Sequence, residues 1–426
     1  MRKTKTVATS TMMSVLFCAH SALVAAGDHP LEENTASSFS EMFEKSSYSG
    51  EIRTGYLMTH PEMSVENTMD DFAAAGQLKI VTASWNGFQL GGAFYTSHSI
   101  TQTDGEGYND EFAGPDQHYN LLAEAYIDYT SGDLNLRLGR QLIDTPFADS
   151  DDIRMTPHTF EALVGNYALG NGFKLTAGWM TRWQGFDAGF PRDAGFDDMV
   201  QDSDGTFMLG GSYGDEIFEA SAWYYSVVDV VNVFYGDIML PITLGENVTL
   251  TLGAQLTLQH DDTNSKTAAE IGSELNGELF GVMAELTLAS ITFGLAWDHA
   301  NVDEGEALFG GWGGGPFFTN IDTLVANEFA AGQDADSYTV SEAYDLAGLG
   351  LSGFNVGYTY GHYEGGADPF DAHTDAEVEE HNFSLVYDIS DNWCADAVYV
   401  MSHDQESTAD TEWDYDRFQT RVTFLF

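Results

Sequence analysis

The residues best placed to act on something else in this chain are its cations, because they are few and their spacing is regular. Fifteen Lys and Arg stand against 67 Asp and Glu, a formal charge of −52. Seven of them, Arg53, Lys79, Arg137, Lys174, Arg182, Arg417 and Arg421, fall on the polar side of stretches that alternate with period two. Leu134, Leu136 and Leu138 share one side of such a stretch, and Asn135, Arg137, Gly139 and Gln141 share the other. Phe173, Leu175, Ala177 and Trp179 oppose Lys174, Thr176, Gly178 and Arg182 in the same way. A soluble core would not bury such cations without partners. A sheet curled around water would place them inward, since an Arg or Lys facing mid-bilayer costs roughly 2–4 kcal/mol. The chemistry on offer is electrostatic guidance of small charged solutes along a wet path.

Between Asp193 and Asp416 the only cation is Lys266, while Glu219, Asp237, Glu285, Asp298, Asp388 and Asp396 occupy polar-side positions. This asymmetry predicts a basic wall facing an acidic one. Other chemistry is weak. Asp149-Ser150-Asp151-Asp152 and Asp202-Ser203-Asp204-Gly205 lack the spacing of a calcium hand. His60, His98, His118 and His299 have no paired zinc spacing. Gly313-Gly314-Gly315 is not followed by the Lys of a phosphate loop. No metal or cofactor is expected, and no motif supplies the Ser–His or Asp–His set of a barrel enzyme. Such acidity excludes phosphate-led nucleic-acid binding.

The elements that carry these residues follow from the same alternation. Arg2, Lys3 and Lys5, the weakly apolar Val15 to Val24, and Val24-Ala25-Ala26 before Gly27 predict a secretory leader over residues 1–26. Residues 27–48 are expected to be a periplasmic segment, with a short helix within Glu32 to Ser47. No later apolar run reaches the length of a membrane helix. Residues 49–426 then read as about 18 strands of some ten residues. Turns such as Asn86-Gly87, Ser131-Gly132, Gly170-Asn171-Gly172, Gly214-Asp215, Pro241 to Asn247 and Ala289-Ser290 alternate with long loops. The predicted fold is all-β: a transmembrane antiparallel up-and-down barrel with long extracellular loops and short periplasmic turns. Trp85, Trp179, Trp223, Trp297 and Trp393 fall near strand ends, as interface girdles do. In the last strand Phe418, Val422, Phe424 and Phe426 alternate with Arg417, Gln419 and Arg421, as in the assembly signal of outer-membrane barrels.

The run Leu136-Arg137-Leu138-Gly139-Arg140-Gln141, then Asp144-Thr145-Pro146, Asp151 to Pro157 and Thr159-Phe160-Glu161, resembles the OprD-type porins, the outer-membrane carboxylate channels. Gly310 to Phe318 and the strand-turn from Tyr344-Asp345-Leu346 to Gly353-Phe354 are similar as well. The resemblance implies an 18-stranded monomeric barrel, an inward-folded third loop and a ladder of basic residues for small, often carboxylate-bearing solutes. It carries that ladder to Arg137, Arg140 and Arg154. The loop Ile143 to His158 is too long for a tight turn, so it is expected to enter and narrow the lumen. Its Asp149, Asp151 and Asp152 would then face Arg137, Arg140 or Arg154. The expected function is passive transport of amino acids and small organic acids. The alternatives are a general cation-leaning diffusion porin, or a barrel enzyme or adhesin without an open pore. Expected partners are these solutes, outer-membrane lipids and lipopolysaccharide, and the assembly machinery that reads the C-terminal strand. The chain is read as a monomer or trimer.

Overall fold

The computed structural model describes residues 34–61, 67–101, 107–188, 195–264, 273–366, 375–405 and 414–426. The expected leader lies outside them. Among the described residues, eighteen long strands pair antiparallel, each with its neighbour in sequence. They are β1 (Ser47–Pro61), β2 (Met69–Val81), β3 (Phe88–Ser99), β4 (His118–Ser131), β5 (Leu134–Gln141) and β6 (Thr159–Gly170). Next come β7 (Phe173–Gln184), β8 (Thr206–Gly214), β9 (Glu219–Val227), β10 (Val231–Gly245), β11 (Val248–Asp261) and β12 (Gly277–Leu288). The ring continues with β13 (Ile291–Asn301), β14 (Ala335–Asp345), β15 (Phe354–Gly366), β16 (Asp375–Ser390), β17 (Trp393–Asp404) and β18 (Tyr415–Leu425). β18 pairs with β1 from Glu51↔Leu425 to Pro61↔Tyr415, so the sheet closes and has no edge.

Closure explains the alternation. One face of every strand meets lipid, so Leu78, Ile80, Leu136, Leu138, Leu163, Leu209 and Leu295 stay exposed on their strands while the intervening residues are covered. The seam is completed by two backbone hydrogen bonds of 3.0 Å between Gly50 and Phe426. A Cβ on Gly50 would lie 2.3 Å from the Gln77 carbonyl and 2.7 Å from the Phe426 ring. Removing Phe426 takes away both bonds and that packing. We expect little folded, heat-modifiable barrel from the Phe426 deletion; normal levels would show that the seam closes without it.

Several strand boundaries differ from the sequence reading, and three of the differences fall at β9 and β10. β10 runs through Pro241 to Gly245. Its pairing with β9 ends at Met239, so the missing Pro241 N–H has no acceptor to satisfy. β9 starts at Glu219, because the Asp215 carboxylate takes the N–H groups of Ile217 and Phe218 at 2.7 and 3.0 Å and makes a turn of the preceding residues. The β9–β10 connection is not long: Val228-Asp229-Val230 spans it, with Asp229 at φ 59. Before the barrel, helix α1 (Phe39–Glu44) is capped by the Ser38 side chain.

A loop that crosses the lumen

The β5–β6 loop leaves the wall at Ile143 and is tied to it at two distant places. At one end Phe147 is fully buried among Tyr225 and Tyr235, inward residues of β9 and β10. Phe309 and Phe317 of the β13–β14 loop close around the same ring. The two loops share backbone hydrogen bonds of 2.9 Å, Trp312 N–H to the Phe147 carbonyl and Asp149 N–H to the Trp312 carbonyl. Gly313 sits at φ +92, and a Cβ there would meet the Asp149 carbonyl at 2.5 Å.

At the other end Arg53, on β1 and fully buried, grips both Asp152 carboxylate oxygens at 2.7 and 2.8 Å. It also donates to the Arg154 carbonyl at 3.0 Å and to Thr423 Oγ1 at 3.1 Å, and Glu51 lies 3.2 Å away. Arg421, on β18, donates to the carbonyls of Asp152 and Arg154 at 2.7 and 2.6 Å and to Asp396 at 2.9 Å. Gln419 holds the Ile153 carbonyl at 2.9 Å. In an eighteen-stranded ring, β9–β10 and β18–β1 are nine strands apart. The loop therefore spans the lumen from wall to wall.

Arg154 is buried, with its guanidinium 4.5 Å from the Phe186 ring and 2.7 Å from Glu111 of the β3–β4 loop. Arg417 reaches the same Glu111 oxygen at 3.1 Å and Asp322 of the β13–β14 loop at 3.4 Å. Burial alone would raise the Glu111 carboxyl, but Arg417 and Arg154 outweigh it and hold the group below its ordinary value. Three loops thus converge on one buried charge node.

The remaining expected cations separate by face. Lys79 is buried and paired with Glu124 at 2.8 Å. Arg137 is partly open to the lumen, paired with Asp128 at 2.9 Å and 4.4 Å from the Tyr126 ring. Lys174 is exposed near the β6–β7 turn. Arg140 and Arg182 do not share this inward face. They flank Glu161 in one register row beside the exposed Leu138 and Leu163, so they stand on the outer side. Thr181 is the reason for Arg182: it bulges between the pairs Glu161↔Arg182 and Ala162↔Met180 and reverses the alternation. Arg140 simply has the parity of Leu136 and Leu138; it is 2.9 Å from Glu161 and 4.3 Å from the Phe196 ring.

The loop carboxylates also find other partners than expected. Asp152 meets Arg53 rather than Arg137, Arg140 or Arg154. Asp149 lies against the β13–β14 loop. Burial, then the carboxyls of Asp151 and Asp144, push Asp149 well above the carboxylate range. Burial, opposed by the His158 ring and aided by Asp187 and Asp152, pushes Asp151 up to about 6. A raised carboxyl favours the docked loop while protonated, and that contribution is lost as pH climbs through about 6. Open-channel noise should therefore grow between pH 4 and 7, and Asp151→Asn should flatten that dependence; an unchanged profile in the variant would assign it to another group.

Among the acidic wall positions, Asp298 is buried, accepting from Thr319 N–H at 2.8 Å and Gln255 at 2.7 Å, and so braces the β13–β14 loop. Asp237 and Glu285 are inward and half-buried, with no Lys or Arg in salt-bridge range among the described residues. Sequence reasoning missed Phe147 and Asp322, and gave no role to Glu111 in its acidic loop or to Gln419 on the polar side of the last strand. Glu51, Glu124 and Asp128 were legible, standing on the polar side of cation-bearing or neighbouring strands.

Comparison with solved structures finds the same architecture. Pseudomonas aeruginosa OpdK, solved with vanillate, superposes with a TM-score of 0.77 at 18% identity, covering 90% of this chain and 99% of that one. Acinetobacter baumannii OccAB2 gives 0.78 at 16%, covering 91% and 99%. No curated protein sequence matches significantly. The family model described as outer membrane porin, OprD family, matches residues 123–423. With that match covering most of a closed eighteen-stranded barrel, the chain belongs to the OprD family of outer membrane porins.

Proposed function

We propose that this porin is a passive, substrate-selective channel for small polar solutes, amino acids and small organic acids among them. Within that class it favours molecules carrying an amine beside the carboxylate. The observation that carries this reading is the state of the inward arginines: Arg53, Arg137, Arg154, Arg417 and Arg421 each have a carboxylate within 3.5 Å. A ladder so neutralised pulls weakly on a pure anion. The Arg137–Asp128 pair, still partly open, offers a solute one charge of each sign. Vanillate, with which OpdK was solved, is a carboxylate and supports the acid half of the class.

Liposome swelling with a panel of sugars, organic acids and amino acids tests the class. Arg137→Ala should slow carboxylate-bearing solutes and leave neutral sugars unchanged; equal slowing of both would leave the arginine a structural role only. A general cation-leaning pore is a second reading, favoured by Asp237 and Glu285 on the facing wall. Mobile ions screen exposed loop charges within about 8 Å at physiological salt, so the lean should grow at low ionic strength. A strong anion preference in reversal potentials at low salt would rule the second reading out. The leader over residues 1–26, the periplasmic segment 27–48 and recognition of β18 by the assembly machinery belong to the same proposal.

A further inference from the structure

We propose that helix α1 is a membrane-surface anchor, with Phe39 and Phe43 seated in the headgroup layer of the periplasmic leaflet and a phospholipid surface as its partner. At the short-turn end of the barrel, outward rings pair across neighbouring strands. Phe88 meets Tyr129 at 4.6 Å, Phe173 meets Tyr213 at 4.4 Å, Phe354 meets Tyr387 at 3.7 Å and Trp393 meets Phe424 at 4.8 Å. Such a belt marks where lipid gives way to water. Trp85 bridges Phe88 across the β2–β3 turn and so shares its outward face. The Phe39 ring lies edge-on to Trp85 at 5.7 Å, and Phe43 lies edge-on to Phe39 at 5.1 Å. α1 therefore continues the belt at β2 and β3.

The helix is built to hold those rings outward. Phe39 and Phe43 are one turn apart on one side. Both stay exposed, at 58% and 46%, while Met42 is buried against the barrel. The Met42 carbonyl accepts from Ala83 N–H at 3.0 Å, and the segment before the helix exchanges two 2.8 Å backbone bonds with Ser84. Lys45 closes the segment on the Thr35 carbonyl at 3.0 Å and on Glu41 at 2.8 Å. Ser40, Glu41 and Glu44 give the rest of the helix a polar surface. An apolar side and a polar side, fixed at the level of the aromatic belt, are the features of a helix lying in a bilayer surface. Continuity with the lipid-facing belt selects lipid over a second copy or a periplasmic protein.

The test places a bimane fluorophore on Phe43→Cys or on Glu44→Cys, which is exposed and turned away from both rings, in the full chain, with the unsubstituted chain as labelling blank. Both are reconstituted in vesicles of phosphatidylethanolamine and phosphatidylglycerol. Doxyl-labelled lipid should quench position 43 about threefold more than position 44, and iodide should do the reverse. Equal iodide quenching at both positions would place the helix in water and overturn the proposal. Protection of position 43 from both quenchers would place a protein surface over it and overturn it equally. Phe39→Cys repeats the measurement should Phe43→Cys lose its heat-modifiable barrel.

Discussion

Replacing Arg53 with alanine should raise the mean single-channel conductance and its noise more than any other single substitution in the wall. Arg53 is fully buried and is the bidentate partner of Asp152 at the β18–β1 end of the crossing loop. Without it the carboxylates of Asp152 and Glu51 lose their shared cation in a site largely withdrawn from water. Breaking a buried pair from one side costs roughly 3–5 kcal/mol. At about 1.4 kcal/mol per tenfold, the ratio of docked to released loop falls by about two to three and a half orders of magnitude. The barrel seam, made of backbone pairs, should survive, so heat-modifiability is the control. Arg53→Lys keeps the charge and loses the fork, and should fall between the two. A folded Arg53→Ala channel with unchanged conductance would show that Arg421 and Gln419 hold the loop alone.

The strands were readable because a closed barrel writes its two solvents into every second residue. Leu134, Leu136 and Leu138 against Asn135, Arg137 and Gln141 is a pattern that only a two-faced wall requires. What the pattern cannot carry is an interruption. The bulge at Thr181 costs one residue of register and turns Arg182 outward, yet period counting across residues 173–182 looks unbroken. Arg140 illustrates a different failure: its own parity placed it with the leucines, and the family resemblance assigned it to the ladder. The charge partners divide in the same way. Glu51 stands two residues before Arg53 and therefore on its face. Asp152 lies 99 residues from Arg53 and Glu111 lies 306 from Arg417, and nothing local links them. The crossing loop was legible as a long insertion between basic hairpins, but its far anchor, Phe147, looks in sequence like any loop aromatic.

Phe147→Ala tests that far anchor and the single-span reading together. The ring is fully buried, with ring centroids of Tyr225, Tyr235, Phe317 and Phe309 between 5.5 and 6.3 Å away. Truncating a buried Phe to Ala costs roughly 3–5 kcal/mol, comparable to the loss at Arg53. Conductance should therefore rise as it does for Arg53→Ala, although the two residues sit on opposite walls. Sites this far apart, with no shared partner, ordinarily act independently. A rigid crossing behaves otherwise: once either end is released the obstruction swings aside, and releasing the second end adds little. The Arg53→Ala, Phe147→Ala double variant should then conduct about as well as the better single variant, in a planar bilayer at fixed salt and voltage. If its gain instead equals the product of the two single gains, the ends move separately, and the loop is two independent flaps rather than one span.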